Sequence, residues 1–261
     1  TANRVKSLQR SLRQGWPAAT IALAARHYQQ IFDLAFGQTT LGDDGLSLVA
    51  ERSGSLADHA TRLLRNAKLL PAALMARLPF RDIAAQDRFA QEHNILVLEA
   101  RDLDSYHHQA GAMMRIAARA RVPLAVAEDA EVVMFRAEIG GEDHFAVLIG
   151  KGADLEAPLV RLHSQCVTGD VLGSLKCDCG DQLQAAMRLM AKNGGGVLIY
   201  LAQEGRDIGL LNKMRAYALQ DNGLDTVDAN HALGFDTDER VFLPAARILD
   251  ALGITRLRLI T

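Results

Sequence analysis

The sequence of 261 residues contains few cysteines, since Cys166, Cys177 and Cys179 are the only three. Because there is no fourth cysteine, a structural zinc site with four thiolate ligands is excluded. A disulfide would leave one thiol over, and Cys177 and Cys179 are too close in sequence to pair comfortably with each other. A small cluster of free thiols favours a reducing compartment, so we expect a cytoplasmic protein.

Other classes of protein are excluded by what the composition lacks. No apolar run reaches membrane-spanning length, and the first residues lack the apolar core of a signal peptide, so we expect no membrane partner. The formal net charge is −2, and no stripe of aromatic and basic residues occurs, which argues against a nucleic-acid partner. Neither a Walker motif nor a GxGxxG pattern is present.

The three cysteines lie in one short segment, Arg161 to Gln182, with the spacing C-x10-C-x-C. Three sulfur ligands so close in sequence favour zinc. If water fills the fourth position, the metal is available for chemistry. If His163 fills it instead, the result is a closed Cys3His site with a structural role. The spacing alone leaves both alternatives open.

The hydrophobic pattern predicts an α/β fold, because strands alternate with helices. We place a domain boundary near residue 120, between a smaller, mainly helical α/β domain (1–120) and a mixed-sheet domain (121–261). In the first domain we expect helices at 4–15, 55–68 and 83–93, a short buried strand at 95–98, and a helix over 103–120. In the second we expect a hairpin of strands at 132–139 and 144–149, further strands at 158–163, 197–201 and 256–260, and helices at 180–191, 207–222 and 241–252.

Several cations near predicted strand and helix ends are suited to phosphate oxygens, although each of them is also typical of an ordinary surface position. They are Arg161, Arg206, Lys213, Arg215 and Arg240. Asp238 lies two residues before Arg240, close enough to orient or deprotonate it. Glu204 offers a carboxylate for the donor edge of a purine, or is a solvated loop charge.

Three segments together resemble the GTP cyclohydrolase II family: RLHSQCVTGDVLGSLKCDCGDQL, QEGRDIGLLNKMRAYALQDNGLDTVDANHALGF and DTDERVF. They follow one another in the family's order and spacing, and the resemblance covers about Glu131 to Thr261. It implies hydrolysis of GTP, in riboflavin biosynthesis, to formate, pyrophosphate and a diaminopyrimidinone that carries ribosyl phosphate.

The resemblance also implies the site residues. Cys166, Cys177 and Cys179 would hold one zinc ion with water as the fourth ligand, and Mg²⁺ would accompany the GTP phosphates. Asp238 would be the proton acceptor, Arg240 the nucleophile toward the α-phosphate, and Tyr217 an assisting residue. The implied GTP contacts are Arg161, Leu162, His163, Ser164, Gln165, Gln182, Glu204, Gly205, Arg206, Thr226 and Thr261. Family members are usually homodimers, so we expect a homodimer.

Two departures from the family accompany this resemblance. In the family the last strand runs into a short Asn/Pro/Lys segment that contacts the nucleotide, whereas this sequence ends at Thr261, so we expect that contact to be missing. The segment ALMARLPFRDIAAQDRFAQEHNILVLEARDLDSYH resembles the end of a 3,4-dihydroxy-2-butanone 4-phosphate synthase. The acidic loop and histidine motif of that synthase are not visible, so we expect residues 1–120 to be a degenerate, non-catalytic domain.

Two other functions are compatible with the same residues. One is a cyclohydrolase paralogue that acts on another nucleotide or releases another product; Tyr217 and the pair of Asp238 and Arg240 argue against it. The other is a non-catalytic module, closed around zinc, that binds a nucleotide or a protein. The identity of the fourth zinc ligand distinguishes that module from an enzyme.

Overall fold

The computed structural model describes residues 1–10, 12, 15–37, 46–109, 113–138, 141–152 and 155–261. The chain divides into two units. Unit 1 contains Thr1–His107 and Arg215–Thr237, and unit 2 contains His108–Met214 and Asp238–Thr261. The second half of the sequence therefore contributes to both units. The predicted domain boundary near residue 120 stays a prediction.

The described chain contains both helices and strands, and its larger sheet is mixed, which confirms the predicted α/β class. The α-helices are α1 (Ala2–Ser7), α2 (Ile31–Phe36), α3 (Leu56–Asn66), α4 (Ile83–Glu92), α5 (Ala100–Gln109), α6 (Val167–Asp170), α7 (Cys179–Lys192), α8 (Leu210–Asp221), α9 (Thr226–Ala232) and α10 (Leu243–Ala251). The strands are β1 (Ala18–Ile21), β2 (Leu48–Glu51), β3 (Met114–Arg121), β4 (Ala130–Ala137), β5 (His144–Gly150), β6 (Leu159–Ser164), β7 (Gly195–Leu201) and β8 (Arg258–Leu259). No helix within these described ranges has the length and apolar character needed to cross a bilayer.

Unit 2 is built on a six-stranded mixed sheet with the order β3-β4-β5-β7-β6-β8. Neighbouring strands from β3 through β5 to β7 are antiparallel, and β6 runs parallel to both β7 and β8. The predicted hairpin is confirmed as β4 and β5. The structure thus confirms the mixed sheet that the sequence pattern predicts for this half.

Both faces of the central strands are buried, because side chains that alternate along a strand pack under a helix on either side. On β7, Val197 and Ile199 join a cluster with Ile248 of α10. The residue between them, Leu198, packs on the opposite face with Met190 of α7. The sheet therefore holds α7, the helix that begins at Cys179, in a fixed place.

The carboxyl ends of the parallel strands β6 and β7 lie at the same edge of the sheet. The backbone N–H of Gln165, just after β6, donates to the carbonyl of Leu201 at the end of β7, at 2.8 Å. Open α/β sheets commonly bind ligands at such an edge. The segments that follow the two strands carry Cys166 and Glu204.

Unit 1 contains a two-stranded antiparallel sheet, β1 with β2, and helices that the sequence predicts well. The predicted helix at 55–68 is confirmed as α3, whose N-cap Ser55 accepts a hydrogen bond from the backbone N–H of Asp58. The predicted helix at 83–93 is confirmed as α4. The helix expected over 4–15 covers only Ala2–Ser7, and residues 11, 13 and 14 lie outside the described part.

Two predictions of secondary structure are wrong. The helix expected over 103–120 is interrupted, because Met114–Arg121 forms β3 and pairs with β4. The strand expected at 95–98 is absent from the structure, where its side chains are exposed, Leu96 by 94%. A strand needs a neighbour for its backbone hydrogen bonds, and among the described residues none pairs with this segment.

Candidate active site

The three cysteines reach one place from two elements of unit 2. Cys166 follows β6, whereas Cys179 is the first residue of α7 and Cys177 lies just before that helix. The three sulfur atoms all lie within 4.8 Å of one another, and the Sγ atoms of Cys166 and Cys177 are 3.6 Å apart. The fold therefore brings together the three thiols that the spacing C-x10-C-x-C singled out.

This cluster fits a zinc ion. Tetrahedral zinc with Zn–S bonds of about 2.3 Å requires sulfur atoms about 3.8 Å apart, which is near the observed spacing. Gly169 provides the room, since a Cβ atom there would lie 2.9 Å from Sγ of Cys177 and 3.2 Å from Sγ of Cys166. Cys166, Cys177 and Cys179 are thus the residues that would hold the metal.

His163 is not a member of the sulfur cluster. Its Nε2 atom lies 3.0 Å from Oδ1 of Asp170, and both side chains are 4% exposed. The ring also stacks on Tyr200, with ring centres 5.5 Å apart. This arrangement gives the histidine a carboxylate partner, and it favours an open metal position over the closed Cys3His alternative.

Asp170 fixes the backbone at the first cysteine. Its Oδ2 atom accepts hydrogen bonds from the backbone N–H of Cys166, at 3.0 Å, and from the hydroxyl of Tyr200, at 2.8 Å. Burial, followed by this hydrogen bond to Asp170, raises the pKa of Tyr200, so the phenol stays protonated and donates. One buried carboxylate thereby joins Cys166, Tyr200 and His163.

A buried ion pair contacts the same cysteine from another side. Nζ of Lys213, on α8, lies 3.1 Å from Sγ of Cys166 and 2.7 Å from Oε1 of Glu204. The second oxygen of Glu204 accepts from the backbone N–H of Val167, at 2.7 Å. Both charged side chains are at most a tenth exposed. Glu204, expected at the purine, is therefore also tied to the cysteine loop.

The thiols differ in their ionisation. Burial alone raises the pKa of Cys166, but hydrogen bonds from Lys213, from Thr168 and from the backbone at Gly169 outweigh burial and lower it. The pKa of Cys179 is raised to about 12, first by burial and then by the hydrogen bond and charge of Cys166. A cation among the sulfurs would favour the thiolate form of all three.

Two of the implied GTP contacts, Arg161 and Gln182, touch each other. The Nη2 atom of Arg161 donates to the side-chain oxygen of Gln182 at 2.7 Å, and Nη1 donates to the carbonyl of Ile260 at 3.2 Å. The buried Nε atom of Arg161 has no hydrogen-bond partner among the described residues. A buried N–H donor without a partner is costly, so this guanidinium has capacity for one more acceptor.

Asp238 and Arg240 form an ion pair. Nε and Nη2 of Arg240 donate to the carboxylate at 2.9 and 2.6 Å, and Nη1 donates to Ser164 at 3.2 Å. The hydrogen bonds with Arg240 lower the pKa of Asp238, and those with Asp238 raise the pKa of Arg240. The carboxylate is therefore ionised and the guanidinium protonated. The arginine also lies over the ring of Phe242.

The turn after β7 has an uncommon backbone. Gly205, Arg206 and Asp207 are three consecutive residues with positive φ, at 67°, 60° and 74°. The left-handed region is costly for residues other than glycine, and such strain is often found at functional sites. The carbonyl of Arg206 accepts from the backbone N–H of Glu239 at 3.2 Å, which connects this turn to the segment of Asp238.

The remaining implied contacts divide between the two units. Leu162, Gln165 and Thr261 belong to unit 2, like the cysteines. Tyr217 on α8 and Thr226 at the start of α9 belong to unit 1, where Thr226 accepts from the side-chain amide of Gln220 at 3.1 Å. The structure thus groups most of the predicted residues in one unit and places two in the other.

Sequence reasoning assigned no role to Asp170 or Tyr200, and it treated Lys213 only as one cation among several. Asp170 lies four residues after Cys166, a local signal that could have been noticed. Lys213 is 47 positions from Cys166, and nothing in the spacing connects them. Only the folded arrangement of α8 beside the cysteine loop reveals this contact.

The fold and the site define a class: an α/β protein with a cluster of three thiols, able to hold a metal ion, at the carboxyl edge of parallel strands. The family model described as GTP cyclohydrolase II matches residues 114–261, which is more than half of the chain. The chain belongs to the GTP cyclohydrolase II family. This confirms the family that the three sequence segments suggested.

Relatives with curated names agree with this assignment. The chain is 49% identical over 218 residues to a GTP cyclohydrolase-2 of Azospirillum brasilense, covering 84% of this chain and 56% of that protein. It is 40% identical over 245 residues to a GTP cyclohydrolase-2 of Xylella fastidiosa, covering 93% and 59%. It is 58% identical over 132 residues to a riboflavin biosynthesis protein RibBA of Thermotoga maritima, covering 50% and 33%.

The chain thus spans about half the length of the curated relatives it matches. The first two alignments are longer than the stretch 114–261, so they extend into the N-terminal half. That half is similar to part of proteins that carry the name GTP cyclohydrolase-2.

Proposed function

We propose that this protein is a GTP cyclohydrolase II, which hydrolyses GTP to formate, pyrophosphate and a diaminopyrimidinone that carries ribosyl phosphate. The observation that carries the proposal is the cluster of three sulfur atoms within 4.8 Å, in a chain of this family. Opening the imidazole ring of guanine requires water to add at the carbon between its two nitrogens. A metal with an open position is suited to that step.

Zinc, when bound by Cys166, Cys177 and Cys179, supplies the Lewis acid that activates water. The chain's own residues hold and surround the ligands. Asp170 orients the backbone of Cys166, and Gly169 leaves the space between the sulfurs free. His163 contacts Asp170 instead of the sulfurs, so the fourth position of a bound zinc would be left to water. The site is thus suited to a catalytic metal.

The cations at the same edge of the sheet are suited to the triphosphate. The Nε atom of Arg161 has no hydrogen-bond partner in the part of the chain that the structure describes, and Arg240 is fixed by Asp238 and Ser164. When the bond between the α- and β-phosphates breaks, negative charge develops on the leaving pyrophosphate, and fixed guanidinium groups would stabilise it together with the Mg²⁺ that accompanies GTP. We assign Asp238 as the proton acceptor for the group that attacks the α-phosphorus.

Two roles at the α-phosphate are considered for Arg240. The family resemblance implies a nucleophile, whereas the ion pair with Asp238 raises the pKa of Arg240 and favours a protonated cation. A protonated guanidinium has no lone pair for attack, so Asp238 would first have to accept its proton. If Arg240 is the nucleophile, its nitrogen bonds to the α-phosphorus and pyrophosphate leaves, so brief exposure to GTP labelled in the α-phosphate should trap a guanylylated protein. A protonated cation would give no such adduct.

The wider contacts follow the family resemblance. GTP would contact Arg161–Gln165, Gln182, Glu204–Arg206, Thr226 and Thr261, with Tyr217 assisting at the opened ring. We further propose a homodimer in the cytoplasm, where the free thiols of this site remain reduced. Residues 1–120 would be a non-catalytic domain.

The test is formate release from GTP by the purified, zinc-replete protein, with the nucleotide product identified by absorbance and mass. Formate, pyrophosphate and the diaminopyrimidinone in equal amounts support the proposal. A formylated product or a preference for another nucleotide would identify a paralogue instead. If no nucleotide is turned over although zinc is bound, the protein is a binding module and the proposal is wrong.

A separate assay tests the N-terminal half. Ribulose 5-phosphate and Mg²⁺ are incubated with the protein, and butanone phosphate is measured. We expect none to form, because the sequence lacks the acidic loop and the histidine motif of the synthase. Formation of the butanone phosphate would show that the protein has a second catalytic site.

A further inference from the structure

Lys213 lies where an ammonium group is costly unless it is well paired. The residue is 8% exposed, and removing a charge from water carries a large penalty that only close partners offset. Its partners are the carboxylate of Glu204 at 2.7 Å and the sulfur of Cys166 at 3.1 Å. A purely structural pairing needs the carboxylate alone, so the contact with the sulfur calls for its own explanation.

Glu204 encloses Cys166 from two sides. One carboxylate oxygen accepts from the backbone N–H of Val167, next to the cysteine, and the other holds the ammonium that contacts the sulfur. The ammonium is therefore held in position by a carboxylate that is itself fixed to the cysteine loop. A short hydrogen-bonded ring joins Val167, Glu204, Lys213 and Cys166.

The charge of the three thiolates suggests what this hydrogen-bonded ring does. Three thiolates outweigh the two positive charges of zinc, and sulfur ligands donate electron density strongly, so a three-thiolate zinc is a weak Lewis acid. A cationic donor on one sulfur withdraws electron density from it and weakens its donation to the metal. Groups that contact metal ligands tune metal centres in this way.

We propose that Lys213 is a positioning residue that tunes the metal through the sulfur of Cys166, with Glu204 holding its ammonium in place. The proposal rests on the proposed function, since it deepens the role of the same site. It assigns Glu204 a holding role in addition to the implied contact with GTP. It concerns a contact that exists without nucleotide, so nucleotide is not needed to test it.

The test uses the full chain loaded with cobalt(II), whose sulfur-to-metal charge-transfer band reports how strongly the sulfurs donate. In Lys213→Met the sulfur of Cys166 becomes the stronger donor, so we expect the band to move to lower energy. The contact also positions the sulfur of Cys166, so its loss should lower zinc affinity, measured by chelator competition, on the order of tenfold. Lys213→Arg keeps the charge and should restore most of both values.

Lys192→Met is the matched control. This lysine is exposed at the end of α7, and its replacement should move neither the band nor the affinity. If Lys213→Met does not fold, Lys213→Gln retains a neutral donor, and its band should lie below that of Lys213→Arg in energy. A band and an affinity like those of the natural protein in folded Lys213→Met or Lys213→Gln would overturn the proposal.

This outcome is independent of the outcome for the proposed function. If the band shifts but GTP releases no formate, the lysine tunes a metal that has another role. If formate is released but the band does not shift, the function stands and Lys213 has only a packing role. For an active protein, a lower kcat with little change in KM in Lys213→Met would further support the tuning role.

Discussion

Arg4 in unit 1 and Lys213 in unit 2 are both cations that are less than a tenth exposed, yet their surroundings differ. The guanidinium of Arg4 donates to five acceptors, and all five are neutral. They are the carbonyl oxygens of Leu34, Ala232, Asp33 and Gly37, and the hydroxyl of Ser7. Lys213 instead contacts a carboxylate and a thiol sulfur.

The pKa values move in opposite directions for this reason. The pKa of Arg4 is lowered to about 10, mainly by burial, with Asp33 opposing the shift. Burial also acts to lower the pKa of Lys213, but the hydrogen bonds with Glu204 and Cys166 outweigh it and raise the value. Neutral carbonyls stabilise a fold around a cation, whereas anionic partners make the cation part of a charged site.

Arg4 serves the fold in an identifiable way. The carbonyls of Asp33 and Leu34 lie in the last turn of α2, and the carbonyl of Ala232 ends α9. The last carbonyls of a helix have no partner within the helix and carry partial negative charge. One side chain of α1 therefore satisfies the ends of two helices that are far apart in sequence.

The largest effect is expected where a ligating sulfur is removed from unit 2. Cys177→Ser replaces a soft thiolate by a hydroxyl, which binds zinc poorly. We expect zinc content near zero and formate release lowered more than about a hundredfold, with thermal stability of unit 1 little changed. Metal analysis and the formate assay measure both effects. Retained activity without zinc would show that the metal is not the catalyst.

The second prediction concerns Arg4, the buried cation of unit 1. Arg4→Met keeps the bulk of the side chain but leaves the carbonyls of α2 and α9 without their donor, which should lower the free energy of unfolding by about 3 kcal/mol. Urea denaturation followed by circular dichroism measures the loss. At temperatures where the variant is folded, zinc affinity should equal that of the natural protein.

Arg88→Met provides the control for this variant, because Arg88 is exposed on α4 in the same unit. Its replacement should change stability by less than about 0.5 kcal/mol. If Arg4→Met costs no more than Arg88→Met, the five hydrogen bonds of Arg4 contribute little. A change in zinc affinity in Arg4→Met would show that Arg4, like Lys213, affects the cysteine cluster.

The local features of the fold could be predicted from the sequence where short-range chemistry decides. The serine cap of α3, the hairpin of β4 and β5, and α7 are set by neighbours in sequence. β3 was missed because alanine and arginine favour helices, although Met114, Ile116, Ala118 and Ala120 recur at every second position. Pairing with β4 overrides that propensity, and the register shift between Ile116 and Ala118 obscures the pattern.

The candidate site, like the fold, could be predicted only where the residues involved are close in sequence. Three cysteines with close spacing predict a metal site, because the candidate ligands are near one another in sequence, and the structure brings their sulfur atoms together. The contact of Lys213 with Cys166 depends on how α8 packs, and the role of Glu204 depends on the same packing. Glycine at position 169 is required by sulfur atoms that only the folded chain brings near it. Such features depend on contacts between distant segments, so sequence spacing does not reveal them.

The third prediction sharpens the comparison by disturbing the sulfurs without removing one. Gly169→Ala introduces a methyl group 2.9 Å from Sγ of Cys177, so one or more sulfurs must move. Zinc affinity should fall by about tenfold or more, measured by chelator competition. Gly173→Ala lies in the same loop with open space around its Cβ position but with φ of +64°, so it should cost stability and not zinc affinity. Equal affinities of the two variants would show that the cluster does not need the space at Gly169.

The smallest effect concerns the exposed ion pair of Asp238 and Arg240, whose side chains are 40% and 28% exposed. Because solvent screens such a pair, Asp238→Asn should lower the free energy of unfolding by at most about 1 kcal/mol at pH 7. Arg240 lowers the pKa of Asp238 below its ordinary value of 3.8, so the folded protein binds this proton less readily than the unfolded chain. The pair's contribution is therefore complete above that ordinary value and is lost as the pH falls through the lowered one.

Urea denaturation of the natural protein and Asp238→Asn, at pH 7 and at successively lower pH, tests this sign. The difference in stability between the two should shrink once the pH falls below 3.8, the ordinary pKa of the carboxyl group. Asp87→Asn, at an exposed position of α4, should show no such trend. A difference that grows as the pH falls would mean that Asp238 gains, rather than loses, a proton on folding. The ion pair would then not stabilise the ionised carboxylate relative to the unfolded chain.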